Sequence, residues 1–229
     1  MVVVSILLGF IPSIAWLSFY LHEDFRHPEP RALVALTFVL GGIATFLVLP
    51  VQLFFHDIFA QINLSSFSFA AFLVSAATEE LFKFGMVYLF VRKTTSFNYE
   101  PIHPMVYMTT VALGFAAVEN IGTLFRASDG SLLNSVVLET TVLRFIGATL
   151  LHSLASGTIG YYWGKSMALG RSAWRYLLFG IIAATVLHAL FNYLIIKTGP
   201  VSLTIPLLIA AAFFILNDFE LLKKYERMS

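Results

Sequence analysis

The sequence predicts an all-α fold, a polytopic membrane helical bundle of about seven transmembrane helices, and three observations predict it. Charged residues make up 12% of the 229-residue chain and hydrophobic residues 59%, where a soluble domain carries roughly 25% charge. Mean hydropathy is +0.84, so water is not the main solvent. The apolar residues are gathered into runs of about 20, the length a helix needs to cross a bilayer core.

In chain order the runs cover Val2 to Leu21, Ala32 to Phe54, Phe67 to Val91, Met105 to Phe125, Thr141 to Gly164, Ala173 to Ile196 and Val201 to Leu216. The first has no basic segment ahead of it and spans a full membrane length, so it reads as a retained span rather than a cleaved signal. Breakers and charges separate the runs: His27-Pro28-Glu29-Pro30, Arg92-Lys93, Pro101 to Pro104, Ser128-Asp129-Gly130, Gly170-Arg171 and Gly199-Pro200. After the second run, Leu53 to Asn63 mixes Phe54, Phe55, Ile58 and Phe59 with His56, Asp57 and Gln61, and is expected either in the membrane interface or as a plain loop. Pro200 and Pro206 are expected to bend the last span.

Lys and Arg set the orientation. One set of span ends holds Arg26, Arg31, Arg92, Lys93, Lys165, Arg171, Arg175, Lys223, Lys224 and Arg227, while the other holds Arg126 and Lys197. That bias predicts a multi-pass cell-membrane protein with its N-terminus outside and its C-terminus cytoplasmic. No internal repeat or low-complexity tract divides the chain, so residues 1–229 read as a single membrane domain. The net charge of +1 leaves no basic footprint for nucleic acid, and the absence of cysteine removes disulfides, thiolate nucleophiles and Cys-type metal sites.

Function is expected where ionisable groups interrupt the apolar runs. A charged side chain at mid-bilayer costs between about 2.5 and more than 10 kcal/mol, so such groups persist mainly when paired or used. Glu79, Glu80 and Lys83 lie in the third run, Glu119 and Asn120 in the fourth, His152 with Ser153 and Ser156 in the fifth, and His188 with Asn192 in the sixth. Counting inward at about 1.5 Å per residue places the acids and histidines of four spans at similar depth. Spacings of three and four put either carboxylate on one helix face with Lys83, His152 with Ser156, and His188 with Asn192; Phe115 stands one turn before Glu119. Singly, each has a structural explanation, as an ion pair or as an interhelical hydrogen bonder. Arg144 and Glu139 are expected to snorkel or pair locally.

Acid and imidazole together suggest hydrolysis or ion movement. No HExxH pair is present, because His152 is followed by Ser153 and His188 by Ala189. Asp24, Asp57, Asp129 and Asp218 fall outside the runs or at their ends, which excludes an aspartyl dyad, and Leu154-Ala155-Ser156-Gly157 lacks the first glycine of a Gly-x-Ser-Gly turn. Glutamate remains as the general base: a buried carboxylate deprotonates a water that attacks an amide carbonyl, while a histidine and an asparagine amide donate to the oxyanion. His188 and Asn192 suit the oxyanion role.

The runs Glu79-Glu80-Leu81-Phe82-Lys83, Phe115-Ala116-Ala117-Val118-Glu119-Asn120, His152-Ser153-Leu154-Ala155-Ser156-Gly157 and His188-Ala189-Leu190-Phe191-Asn192 resemble, in order and spacing, the motifs of the PrsW family of membrane proteases, relatives of the type II CAAX prenyl endopeptidases and the Abi proteins. The resemblance covers the third to sixth spans. It implies a membrane-embedded endopeptidase acting on a membrane-anchored protein substrate such as an anti-sigma factor, in the first of two successive cleavages. It also implies that Glu79 and Glu80 match the paired glutamates, Lys83 the basic residue of the first motif, and His188 and Asn192 the last. Where the prenyl endopeptidases place histidine four residues after the motif phenylalanine, this chain has Glu119, as PrsW-like sequences do. Either His152 supplies the missing imidazole, or Glu80, Glu119, His152 and His188 hold a divalent zinc ion. The reading adopted is metal-free, with Glu79, Glu80, Lys83, Glu119, Asn120, His152, His188 and Asn192 as the catalytic set; a proton- or ion-coupled transporter is the alternative.

Overall fold

A computed structural model describes residues 2–23, 29–95, 97, 100–127, 135–170 and 173–226, and regular structure among them is entirely helical. The helices are α1 (Val2–Glu23), α2 (Arg31–Gln61), α3 (Phe69–Met86), which runs on as a π turn (Val87–Val91), α4 (His103–Ala127), α5 (Ser135–Ile146), α6 (Ala148–Ala168), α7 (Ala173–Thr198) and α8 (Thr204–Glu226). Six helical stretches among the described residues are long and apolar enough to cross a membrane. They correspond to six of the seven expected runs. The remaining one, α3, fails that composition test because Glu79, Glu80 and Lys83 lie in it.

The bundle is built around α4. Every residue from Ile102 to Ala117 is buried, as expected of a helix that is apolar on all sides, and α1, α2 and α6 pack against it. Two of these contacts are backbone to backbone. A Cβ on Gly41 would lie 2.0 Å from the Val111 carbonyl oxygen, and one on Gly114 would lie 1.9 Å from that of Phe38, so α2 and α4 cross at a distance only glycine permits. On the opposite side of α4, a Cβ on Gly160 would come within 2.4 Å of the Met105 Cα, which sets α6 equally close. Outside this pair of crossings, α3 lies between α2 and α7, α7 packs on α6, and α8 covers the remaining side of α6. The Tyr107 hydroxyl donates to Glu29, which holds the start of α2 to α4.

Several boundaries differ from the expectation. Leu53 to Asn63 is neither a loop nor a separate interfacial segment; α2 continues through it to Gln61 and stops where Asn63 adopts φ 55°. The fifth run starts earlier than Thr141 and is broken at Gly147, whose φ −96° and ψ −93° separate α5 from α6. Pro206 sits in the first turn of α8, where its missing N–H has no intrahelical partner to lose. Residues 24–28, 128–134 and 171–172 lie outside the described residues, and with them Arg26, Asp129 and Arg171; Arg227 does also.

The α2–α4 crossing gives a direct test. Gly114→Ala places a methyl group into the Phe38 backbone and is expected to destabilise the bundle by about 1–3 kcal/mol or more, the range for overpacking. Gly85→Ala and Gly122→Ala, where a Cβ meets nothing within 4 Å, should be neutral or slightly stabilising, since alanine has the better helix propensity. Thermal unfolding in detergent measures all three, and equal midpoints would remove the close-crossing argument.

Candidate active site

Helical spacing turns Glu79, Glu80 and Lys83 inward on α3, and all three are buried. The Lys83 ammonium donates to Glu80 Oε1 at 2.8 Å and to His152 Nδ1 at 2.8 Å, and sits 4.4 Å from the centre of the Phe115 ring. Because an ammonium only donates, His152 Nδ1 must accept. The proton of that imidazole is therefore on Nε2, which donates to Glu119 Oε2 at 2.9 Å. The Arg144 guanidinium also donates to Glu119 Oε2, at 3.0 Å.

The two adjacent glutamates differ sharply in how they are satisfied. Glu80 Oε1 accepts from Lys83 and from His188 Nδ1 at 2.9 Å, and its Oε2 accepts from the Ser156 hydroxyl at 2.6 Å. Such a carboxylate is held ionised and immobile. Glu79 Oε1 accepts from the Gln52 amide at 2.9 Å, but Glu79 Oε2 is buried without a hydrogen-bond partner. It lies 3.6 Å from His188 Nε2, 3.8 Å from Lys83 Nζ and 3.9 Å from His152 Nδ1. With His188 Nδ1 committed as a donor to Glu80, a neutral His188 presents a lone pair on Nε2. Two acceptors then face each other across 3.6 Å, a gap that calls for a proton donor or a cation.

The same gap tests the fit of a metal ion. Glu79, His152 and His188 can each offer a ligand atom, all within 4.8 Å of one another, and one carboxylate with two imidazoles is a donor set of catalytic zinc sites. Glu79 Oε2 has no hydrogen-bond partner among the described residues and faces His188 Nε2 at 3.6 Å, whereas His152 Nδ1 is occupied by Lys83. The donor set fits a divalent ion, provided Lys83 releases His152. This group differs from the sequence-based set, because Glu80 is saturated and Glu119 lies behind His152 on its other nitrogen.

Six of the eight candidate residues thus converge: Glu79, Glu80, Lys83, Glu119, His152 and His188. Asn120 is one step removed. It accepts from Arg144 Nε and donates to Thr149 Oγ1 at 3.0 Å and to the Gly9 carbonyl at 3.3 Å, which ties α1, α4 and α6 behind the cluster. Asn192 stands one turn beyond His188, half-buried, and makes no hydrogen bond among the described residues. Arg144 does not snorkel or pair locally; it crosses to Glu119 and Asn120 on a different helix. Its place inside an apolar run is the signal that could have led there, since a cation within a span needs an acid of similar depth. Gln52 was missed altogether, although a lone amide two residues after Pro50 in an otherwise apolar stretch is a polar group in need of a partner.

Residues 29–217 match the model of a family described as PrsW family intramembrane metalloprotease. The chain belongs to the PrsW family. Curated relatives named Protease PrsW include those of Geobacillus kaustophilus, 30% identical with 82% of this chain and 78% of the relative covered, Oceanobacillus iheyensis, 30% identical with 82% and 80% covered, and Bacillus subtilis, 28% identical with 82% and 80% covered. No solved structure matches this chain. Membership of a protease family makes this chain a membrane-embedded peptidase and sets the transporter alternative aside.

The role of Arg144 can be measured. Arg144→Met leaves the Glu119 carboxylate with His152 alone and Asn120 Oδ1 without its donor, so His152 loses the partner chain that fixes its ring. Loss of such an outer partner typically costs 10–100-fold in activity, and Arg144→Lys, a point charge without the planar fork, should recover only part of it. Turnover of the purified variants against wild type checks this; unchanged turnover in Arg144→Met would separate Glu119 from the working site.

Proposed function

We propose that this chain hydrolyses a peptide bond of a membrane-anchored protein, with Glu79 as the reacting carboxylate. The observation that carries the reading is the buried, unpartnered Glu79 Oε2 facing His188 Nε2, while both oxygens of Glu80 are taken. A base needs a lone pair directed at the proton it removes, and of the two adjacent glutamates only Glu79 has one to spare. On this reading a water hydrogen-bonded to Glu79 Oε2 gives one proton to that carboxylate as its oxygen attacks the carbonyl carbon. Glu79 then passes that proton to the departing amine. The Lys83 ammonium beside the same oxygen and the Arg144 guanidinium together offset two of the three carboxylate charges. The Asn192 amide, one turn from His188, is left to donate to the oxyanion.

A second reading has its own support in the three-ligand geometry and in the family's description as a metalloprotease. Glu79, His152 and His188 would hold a divalent ion, which would supply a bound water of lowered pKa and polarise the scissile carbonyl. The lysine already on His152 Nδ1 favours the metal-free reading, since it occupies the third ligand position. An anti-sigma factor is the substrate that the family resemblance implies, and the Lys and Arg bias supports an outside N-terminus with a cytoplasmic C-terminus.

Two measurements bear on these proposals. Glu79→Gln should lower cleavage of a membrane-anchored anti-sigma factor by at least about 100-fold, the contribution typical of a general base, without unfolding the protein. Wild-type activity should survive thorough chelation; stoichiometric zinc lost together with activity and restored with it would move the step to the second reading. For the orientation, the chain has no native cysteine, so single cysteines can be introduced and labelled from outside. Labelling in the 62–68 loop with none in the 92–100 loop is expected, and the reverse would invert the topology.

A further inference from the structure

Between α2 and α3 lies a cleft of about 170 Å³ that is built from one face of each helix. Its walls are aromatic and aliphatic: Phe55 and Phe59 of α2, stacked at 6.2 Å, face Phe72 and Val74 of α3. Its mouth is polar, at exposed His56 and at Ser66 of the 62–68 loop. Its inner end is formed by Gln52, Ser75 and Thr78. Gln52 belongs at once to the cleft and to the candidate active site, because its amide donates to Ser75 Oγ at 2.8 Å and to Glu79 Oε1 at 2.9 Å. The cleft therefore runs from a surface loop to Gln52, whose amide is the one side chain between it and the carboxylate whose other oxygen is unpartnered.

Size and lining narrow the occupant. Pockets for drug-sized ligands run from about 300 Å³ upward, so this cleft takes a single large side chain rather than a cofactor. An apolar wall with a few polar groups at one end orients such a side chain while its backbone passes the polar end. The larger crevice of about 410 Å³ between α6, α7 and α8 contains none of the clustered ionisable side chains and has no such continuity with Glu79.

We propose that the α2–α3 cleft is the specificity subsite of the peptidase, receiving one aromatic or large aliphatic side chain of the substrate beside the bond that is cleaved. This rests on the peptidase reading above. Gln52 is then a positioning residue that couples the filled subsite to Glu79, and the substrate chain enters from the face that carries the 62–68 loop. The bonds open to cleavage are those in a membrane-embedded segment of the substrate, because Glu79 lies ten residues along α3 from its start, about 15 Å deep at about 1.5 Å per residue and so near the middle of a bilayer core of about 30 Å.

The test uses the absence of native cysteine. A single Val74→Cys chain in detergent is labelled with a small thiol reagent in the presence of N-acetylated hexapeptide amides that differ only in a central Phe or Ala. The Phe peptide should slow labelling at least about tenfold more than the Ala peptide, and equally so in the Glu79→Gln background, where binding is separated from chemistry. In parallel, cleavage of the two peptides is compared in wild type, in Val74→Phe, which narrows the cleft, and in Phe59→Ala, which widens it. The Phe-over-Ala preference should fall at least about tenfold in Val74→Phe and relax in Phe59→Ala. Phe-specific protection without cleavage by the active chain would support the subsite while sinking the peptidase reading. Equal labelling with both peptides, or a cleavage preference that neither wall variant moves, would overturn the subsite.

Discussion

The Lys83 ammonium is the group on which the rest of the arrangement depends. It is fully buried on a helix inside a hydrophobic bundle, a position that costs several kcal/mol unless the charge is matched. Its matching groups come from three helices: Glu80 one turn back on α3, His152 on α6 and the face of Phe115 on α4. A donor with no acceptor capacity also forces its neighbours' roles. Because Lys83 donates to His152, that imidazole must donate onward to Glu119; because Glu119 is charged, Arg144 is drawn in from α5; because Arg144 needs a second acceptor, Asn120 turns to it and reaches Gly9 on α1 with its amide. One ammonium thus sets the direction of a hydrogen-bond chain that crosses five helices. Arginine at position 83 would be a poor substitute, since its wide planar fork does not fit between a carboxylate, a ring nitrogen and an aromatic face.

That chain requires helices close enough for short polar side chains to meet. Without the hydrophobic effect to drive helices together inside a bilayer, close backbone approach and interhelical hydrogen bonds supply the association. Gly41 and Gly114 bring α2 onto α4, and Gly160 brings α6 onto α4. The first crossing places Phe115 and Glu119 against the cluster from one side, and the second places His152 and Ser156 against it from the other. Bulk at either crossing would separate the acids from the imidazoles by more than a hydrogen bond tolerates. Packing and chemistry are therefore one problem in this molecule: the small residues hold apart nothing but backbone, and the polar network fills the space they leave.

Much of this was legible in the sequence, for a physical reason. In an apolar medium an ionisable residue stands out from composition alone, so Glu79, Glu80, Lys83, Glu119, His152 and His188 could be picked out and their depths matched by counting residues. Helical spacing put either glutamate within reach of Lys83, and both lie beside it, Glu80 at 2.8 Å and Glu79 at 3.8 Å. What spacing could not give was rotation of one helix relative to another. Ser156 faces the cluster together with His152, as their spacing implies, but that its hydroxyl meets Glu80 on α3 depends on how α6 is rotated against α3. Asn120, next to Glu119 on α4, accepts from Nε of the same Arg144 guanidinium whose Nη2 donates to Glu119, a sharing that spacing along one helix does not reveal. The break at Gly147 was hidden because a glycine within an apolar run reads as ordinary helix, and the extension of α2 was hidden because its last turns are amphipathic. The residue that escaped entirely, Gln52, carries no charge and so imposed no obvious cost on the run in which it sits.

Adjacent glutamates of identical chemistry come to differ through helix geometry. Consecutive residues on an α-helix point about 100° apart, so on α3 one carboxylate is aimed at α6 and α7 and the other toward α2. The first meets a hydroxyl, an ammonium and an imidazole N–H, and every lone pair worth using is engaged. The second meets a single amide and is left with one oxygen facing the histidines. The division gives the site a fixed back wall, in which Glu80 orients His188 and Glu119 orients His152, and a front wall on the α2 side, where Gln52 joins Glu79 to the cleft between α2 and α3. An exchange of the two roles would need α3 to rotate by that same angle, which would carry Lys83 out of its three-sided cage into lipid. The ammonium that organises the network therefore also decides which of the two acids is free.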